Sequence, residues 1–443
     1  MLDSAAHAPG GGLLAEVPQL NTFYARRAYQ PAWSEGRRPN AMGRAALALM
    51  GQAEDYGLLP RRYHTAALQA LADSLAQPAL PYRHLAQQAR FDVLLTDGVL
   101  LFARHLRRGQ LHADVPSPLE KAGSPFKPAG WVAASLTAPD FKAALLRCQP
   151  PHREYRQLQQ ALVRWRKASV GHDTPARRRR AQQLALTLER WRWQAIPEAQ
   201  YVLVNLPAYR LEMVRAGRVV HAHRVIIGRT GSPTPTFSSQ ITSFTLAPEW
   251  RVPRSIATQQ ILPYLQANAR AGSEHDFLAE NNYTLYDAQG RPVNPATVNW
   301  LSVSEKNFPY TIRQNPGCGN LLGNIVFRFA NPYGLYLSDA TELKDFDRPY
   351  RALEKGCMHL ERPMRLAALL LGRDSVQAAL PTEAECELAP KPRSFYLRHP
   401  MPLHVRYATC AVVAGQLRFY PDVYGRDAIL RRQLFGSQAP DLL

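Results

Sequence analysis

The spacing of apolar residues changes character near residue 201, and that change limits the folds open to this chain. Before it, apolar residues recur at helical intervals. The stretch from Phe91 to Ala103 is apolar on nearly every face, as in a helix buried among others, and it ends in Arg104, Arg107, Arg108 and Gly109. Tyr155 to Lys167 carries Leu158, Leu162 and Trp165 at helical spacing. Residues 168–180, with Gly171, Pro175 and the run Arg177 to Arg180, read as a linker, and 181–193 as one more amphipathic helix. From Tyr201 onward the runs are short and β-rich: YVLVNL, LEMV, HRVIIG, then Ser243 to Leu246, Val298 to Val303, Ile325 to Phe329 and Leu335 to Leu337. Ser255 to Asn282 is more helical and polar and reads as an insertion. Arg362 to Leu371 reads as a helix, and strands return from Arg393 before a short helix at Arg426 to Leu434. The expected architecture is therefore α+β and multidomain. It has a helical scaffold at 1–170, a linker and helix at 171–197, and a β-rich domain at 198–375 with a lid insertion at about 255–320. An extension at 376–443 is expected to pack on that β-rich domain.

Composition narrows the partners. The chain has 54 Lys+Arg against 35 Asp+Glu, a formal net charge of +19, which suits nucleic acid, anionic lipid or an acidic polymer and also serves plain solubility. The arginine run lacks interleaved aromatics, so it reads as a solvated helix start and no nucleic-acid partner is expected. No run of about 18 apolar residues exists, so no transmembrane segment is expected. The start MLDSAAHAPGGGLLAEV lacks the basic and apolar stretches of a signal peptide, so work outside the cytoplasm would need an export signal not present in this sequence. The 5 cysteines are scattered without a CxxC pair. His221 and His223 alternate on a strand, but no third ligand stands near them, so no metal is expected. Cofactor fingerprints are absent, and no cofactor is expected.

The chemistry concentrates in Glu354-Lys355-Gly356-Cys357-Met358-His359. Glycine before cysteine allows close backbone approach, and a thiolate is a nucleophile where a cation or base stands beside it. If the segment is extended, Lys355, Cys357 and His359 share one face. The bland alternative is a small buried cysteine.

Further segments give that string a context. They are Gly228-Arg229 to Thr234-Pro235-Thr236-Phe237-Ser238-Ser239, then Pro248-Glu249-Trp250-Arg251-Val252-Pro253-Arg254-Ser255-Ile256, then Arg313 to Gly323 leading into Ile325 to Phe329. Leu335-Tyr336-Leu337-Ser338-Asp339 follows, and then Arg351-Ala352 and Gly356-Cys357. Tyr29 to Trp33, Leu95-Thr96-Asp97 and Phe419 to Asp427 extend the match to both ends. Together they resemble the L,D-transpeptidase (YkuD) family, in particular its large periplasmic members with a helical scaffold domain. The resemblance implies a cysteine that attacks a peptidoglycan tetrapeptide stem at meso-diaminopimelate, expels D-alanine and passes the acyl group to a second stem as a 3→3 cross-link. Cys357 falls on the nucleophile's position, and the backbone near Gly356 on that of an oxyanion hole. Trp250 and Tyr336 would wall the stem's pocket, with Asp339, Arg351 and Asn320 as further substrate contacts. The implied partners are peptidoglycan stem peptides or another anionic envelope polymer, with a protein partner through the helical scaffold. The implied location is the periplasm.

The sequence departs from the family where chemistry matters most. The histidine expected 19 residues before the cysteine is Ser338, which cannot accept a thiol proton near neutral pH. The second histidine, two residues before the cysteine, is Lys355. The arginine usual two residues after the cysteine is His359, and the asparagine usual before Pro248 is Ala247. Two readings stay open. One is a rebuilt enzyme, a cysteine acyltransferase in which Lys355 lowers the thiol's pKa and His359 moves the proton. The other is a non-catalytic scaffold or binding protein of the cell envelope. A Cys318–Cys357 disulfide is conceivable, its Cα spacing unknown.

Overall fold

The computed structural model describes residues 14–77, 80–111, 126–168, 174–194, 196–273, 275–317, 320–372, 380, 382–388 and 391–436. Two compact units emerge, Met1–Pro197 together with Tyr407–Leu443, and Glu198–Arg406.

The first unit is mainly helical. It runs α1 (Val17–Ala25), a minimal hairpin β1 (Ser34–Glu35) and β2 (Arg38–Pro39), α2 (Ala41–Gly51), α3 (Thr65–Leu75), α4 (Pro81–Arg108), α5 (Pro128–Leu136), α6 (Phe141–Leu146), α7 (Arg153–Lys167) and α8 (Pro175–Trp193). Side-chain caps start several of these: Asn40 accepts from Gly43 N, Asp140 from Ala143 N, and Thr174 from Arg177 N with Pro175 at the first position. The middle of α4 is buried on all sides, with Leu94, Leu95, Val99, Leu100 and Phe102 packed among Phe23, Trp33 and Tyr63. Its polar residues are spent inside the core. Asp92 accepts from Trp33 N at 2.9 Å, Asp97 accepts from Glu16 N at 2.7 Å, and Thr96 holds Tyr24 Oη and Trp33 Nε1 at 2.8 Å each.

Two local expectations change here. Helix α8 begins at Pro175, so the arginine run is the solvated helix start expected of it, while the linker read at 168–180 does not extend past Thr174; residues 169–173 lie outside the described part. Its C-terminal half is not amphipathic either: Leu184 through Arg192 are all buried. The charges there are paired, Arg192 with Glu189 at 3.2 Å and Arg190 with Asp427.

The second unit holds a nine-stranded sheet built from β3 (Gln200–Asn205), β4 (Arg210–Arg215), β5 (Arg218–Gly228), β6 (Phe237–Leu246), β11 (Ile325–Phe329), β12 (Leu337–Ser338), β13 (Ala352–Glu354), β14 (Met358–Leu360) and β15 (Arg393–Arg406). Between β6 and β11 the chain builds a separate four-stranded sheet from β7 (Trp250–Arg251), β8 (Tyr283–Tyr286), β9 (Pro292–Val293) and β10 (Thr311–Gln314). The helices α9 (Arg254–Ile256), α10 (Leu262–Ala271) and α11 (Phe277–Glu280) cover it, and a π-helical turn at Ala257–Ile261 joins the first two. This insertion has its own core of Trp250, Ile261, Leu262, Leu285, Trp300 and Ile312. The strand expected at Val298 to Val303 is instead part of a pair of 3-10 turns, Pro295–Thr297 and Trp300–Ser302, tied by Trp300 Nε1 to Pro295 O at 3.1 Å.

The main sheet resumes with β11 (Ile325–Phe329), β12 (Leu337–Ser338), β13 (Ala352–Glu354) and β14 (Met358–Leu360). Helix α12 (Pro363–Leu371), the short α13 (Glu383–Leu388) and β15 (Arg393–Arg406) follow. The order is β13-β5-β14-β12-β11-β6-β15-β3-β4, and β4 also pairs with β5, so the sheet closes on itself with β13 outside the ring. Alternating apolar residues such as Val202, Val204, Val225, Ile227, Phe244, Phe327, Leu403 and Val405 fill its interior.

The C-terminal end is divided differently from the extension expected at 376–443. Strand β15 is not laid on the β-rich domain but is built into its sheet, between β6 and β3. The hairpin β16 (Cys410–Val413) and β17 (Gln416–Phe419) and helix α14 (Arg426–Phe435) belong to the helical unit, where Leu430, Leu434 and Phe435 pack with Leu59, Ala185 and Leu186. Sequence order hides this, because only the buried faces of α8 and α14 show which half the tail joins.

Candidate active site

Cys357 stands half-buried between the end of β13 and the start of β14. Four hydrogen bonds, two of them through the Thr234 hydroxyl, fix that junction. Arg229 N donates to Glu354 O at 2.7 Å, Met358 N to Tyr336 O at 3.0 Å, Thr234 Oγ1 to Gly356 O at 2.8 Å, and Gly228 N to Thr234 Oγ1 at 2.9 Å. Gly356 has φ of 102°, a left-handed conformation that only glycine takes without strain. Gly228 is needed for a different reason: a Cβ there would lie 2.3 Å from Ser232 O and 2.8 Å from the Gly356 Cα. The chain therefore turns sharply at residues 355–356, and the shared face expected of an extended Lys355-Cys357-His359 segment does not form. Lys355 is exposed, and its Nζ reaches Gln260 Oε1 in the π-helical turn of the insertion at 3.4 Å.

His359 goes the other way, into the sheet. Strand β12 runs parallel to β14, with Ser338 opposite His359. The imidazole Nδ1 is 2.6 Å from Asp339 O and 3.2 Å from Ser338 Oγ, and Nε2 is 3.6 Å from Glu354 Oε1. A carbonyl can only accept, so Nδ1 carries a proton, and Nε2 faces a carboxylate. Burial works against charge on His359, yet the Glu354 carboxylate and then the Asp339 carbonyl outweigh it and raise the pKa above its ordinary value. Glu354 is correspondingly held low, chiefly by His359. The ring is thus held between the Asp339 carbonyl on Nδ1 and the Glu354 carboxylate facing Nε2. The Cys357 thiol is pushed up. Burial is the main cause, a hydrogen bond with the Tyr336 backbone opposes it, and the Glu354 carboxylate adds to it. The charge acting on the sulfur is an anion, opposite to what a nucleophilic thiolate needs.

The remaining residues expected at the site are mostly engaged in holding structure. Ser338 is fully buried against His359. Asp339 accepts from Asn324 N at 3.1 Å and Ala340 N at 2.9 Å, with Gly323 tight against its side chain. Asn320 is fully buried and donates to Pro248 O at 3.0 Å and Asn315 O at 2.9 Å. Arg351 donates to Arg348 O at 2.8 Å and lies 5.1 Å over the Tyr209 ring. Trp250 belongs to the core of the insertion. Tyr336 alone of these approaches the sulfur, through its backbone. Cys318 lies outside the described residues, and Cys357 is a free thiol. Among the described residues no group of three or more metal-ligating side chains is found, and no helix is long and apolar enough to cross a membrane.

Sequence reasoning missed Thr234 and Gln260 as site residues, and it gave Glu354, within the string it singled out, no role on the sulfur. Thr234 lies in the segment from Gly228 to Ser239, but its bond to Gly356 spans 122 positions and has no local signal. Glu354 and His359 meet only because the chain turns between two strands.

A closed β-sheet that presents a cysteine at a strand junction, preceded by a helical domain, defines a two-part class of protein. Residues 199–377 match the family described as the L,D-transpeptidase catalytic domain, YkuD, and residues 18–162 match the Scaffold domain. A Haemophilus influenzae (strain Rd) protein named "Putative L,D-transpeptidase" is 28% identical over 430 residues, covering 95% of this chain and 80% of its own length. The crystal structure of Mycobacterium tuberculosis L,D-transpeptidase 1 is 13% identical, spans 47% of this chain and 61% of its own, and superposes with a TM-score of only 0.18, too low to bear on the fold. The chain belongs to the L,D-transpeptidase family, with a Scaffold domain ahead of the YkuD catalytic domain.

Proposed function

We propose that this protein engages peptidoglycan stem peptides in the bacterial periplasm through its YkuD domain, and that standard 3→3 cross-linking by Cys357 is lost or greatly weakened. The observation that carries this reading is the set of contacts beside the sulfur. His359 Nδ1 is engaged with Asp339 O and Nε2 faces Glu354, while burial and then the Glu354 carboxylate raise the thiol's pKa. Ser338 offers a hydroxyl where the family carries its base. Loss of a positioned general base costs about 10²–10⁴-fold, and a protonated thiol lowers the rate further. The net charge of +19 favours an anionic polymer. The rebuilt-enzyme reading requires Lys355 to act on the thiol, and its contact with Gln260 turns it away from that role.

The test combines purified protein with a disaccharide-tetrapeptide and, separately, with a carbapenem at pH 7, followed by intact-mass measurement and a pull-down on peptidoglycan sacculi. Retention on sacculi without an acyl adduct on Cys357 is the expected result. A stable thioester, or release of D-alanine at a rate ordinary for an enzyme, refutes the loss of chemistry. Failure to bind sacculi refutes the ligand.

A further inference from the structure

The guanidinium of Arg328 is a charge that the hydrogen bonds around Cys357 do not use. It lies 5.5 Å over the Tyr336 ring, and among the described residues no carboxylate pairs with it. Arg313 gives the contrast. It lies 4.4 Å over the Tyr286 ring, and its charge is answered by Glu249, with Nη1 3.4 Å from Oε2.

Strand register brings Arg328 into line with the sulfur. Val326 and Phe327 of β11 stand opposite Ser338 and Leu337 of β12, and Leu337 and Ser338 stand beside Met358 and His359 of β14. One step further along each pair puts Arg328 opposite Tyr336, and Tyr336 beside Cys357. Phe327, Leu337 and Met358 are fully buried inside the closed sheet, so alternation turns Arg328, Tyr336 and Cys357 to its outer face. That face carries the insertion: Val326, two residues from Arg328, belongs to the insertion's core, and Tyr336 packs against it. Two strand spacings separate Arg328 from Cys357, about 10 Å, with the tyrosine between them. The anion lies on the opposite side. Glu354 is on β13, and the sheet order puts β5, β14 and β12 between it and β11. The row therefore runs from a carboxylate, past the sulfur and an aromatic ring, to an unanswered guanidinium.

We propose that Arg328 receives a carboxylate of the peptide that the YkuD domain engages, with that peptide laid across Tyr336 towards Cys357; this rests on the stem-peptide reading above. A guanidinium resting on a ring face keeps its N–H edge free, and that edge is a rigid fork matched to the two oxygens of a carboxylate. The stacking also holds the side chain in place before the ligand arrives, which lowers the ordering cost of binding. The arginine side chain spans part of the 10 Å or so to the sulfur, so the carboxylate sits on the residue held at Cys357 or on its neighbour. The order of charges gives the peptide one direction, because Glu354 repels the same carboxylate from the other end.

The test titrates the full chain with a disaccharide-tetrapeptide, and with the same ligand after its carboxylates are converted to amides, and follows binding by calorimetry. The unsubstituted protein binds the acid at least about tenfold more tightly than the amide. Arg328→Gln removes that preference and leaves the affinity for the amide unchanged. Arg328→Lys recovers part of it, as a point charge without the fork. Because Arg328 is half-buried and ties no carboxylate, both variants melt within about 2 °C of the unsubstituted protein. A preference for the acid that survives in Arg328→Gln overturns the inference and leaves the stem-peptide reading in place. Equal binding of acid and amide by the unsubstituted protein overturns it without any variant. No binding of either ligand to the unsubstituted protein overturns the stem-peptide reading and the receptor with it.

Discussion

Removal of the Thr234 hydroxyl tests whether the cysteine junction is held by buried hydrogen bonds. Thr234 is fully buried, and its Oγ1 accepts from Gly228 N at 2.9 Å while donating to Gly356 O at 2.8 Å. Thr234→Val keeps the shape and deletes both bonds. Each buried backbone group left without its partner costs about 1–3 kcal/mol, so the pair comes to roughly 2–4 kcal/mol when some relaxation is allowed. In a unit running from Glu198 to Arg406 that loss lowers the melting temperature by about 5–15 °C. The conservative change Thr234→Ser keeps the hydroxyl and costs about 1 kcal/mol or less. The assay is thermal unfolding of the three proteins in parallel, with iodoacetamide labelling of Cys357 well below each midpoint. The valine protein also labels faster, because the Gly356 turn that shields the sulfur loosens. A valine protein that melts within about 1 °C of the original would falsify the account, since the two bonds would then be contributing nothing.

Three further outcomes follow from the same geometry. Burial is the main cause that raises the Cys357 thiol and the Glu354 carboxylate adds to it, so Glu354→Gln, which removes an anion from a 39% exposed and therefore screened position, makes iodoacetamide labelling at pH 7 modestly faster, and an unchanged or slower rate refutes the electrostatic assignment. His223 is buried, and its pKa is depressed to about 4, first by burial; between pH 6.5 and 4 the unfolded chain binds a proton the folded one refuses, so stability falls on acidification by up to roughly 3 kcal/mol, and His223→Gln must show a smaller loss of melting temperature from pH 7 to 4.5. Restoring the family's histidines by Ser338→His with Lys355→His does not restore carbapenem acylation, because the new imidazole must enter a fully buried site 3.2 Å from His359 Nδ1 and overpacks it by about 1–3 kcal/mol; reaction appears only when His359→Arg is added, and a thioester in the double variant shows that the room exists after all.

How much of this was legible in the sequence depends on the range of the interaction. Helix α4, helix α7 and strands such as β5 and β11 follow from local periodicity, because each needs only its own apolar spacing to choose a face. The tail was misjudged for the opposite reason. The alternation in Arg393 to Arg406 marks a strand, but its place between β6 and β3 is decided by partners 147 or more positions away. Helix α8 looked amphipathic because Glu189, Arg190 and Arg192 are charged. Only the distant Asp427 and the local Glu189–Arg192 pair show that those charges are buried in company.

The candidate site divides along the same line. The identity of the cysteine and the loss of the base at Ser338 are one-dimensional facts, read directly from spacing. What the thiol experiences is not. Lys355 and His359 both sit two residues from Cys357, and an extended backbone would have placed both beside the sulfur. The left-handed turn at Gly356, enforced by the close approach of Gly228, sends one outward to Gln260 and the other inward to Asp339. A single backbone angle therefore turns two candidate helpers of a thiolate into a contact with the insertion and a buried histidine held by Asp339 O. It also leaves Glu354 as the charge that acts on the sulfur. The substitutions at Ser338 and His359 are in this sense one structural change. His359 sits where a small side chain at 338 leaves room for it and Glu354 faces it, so the effects of changing 338 and 359 are coupled.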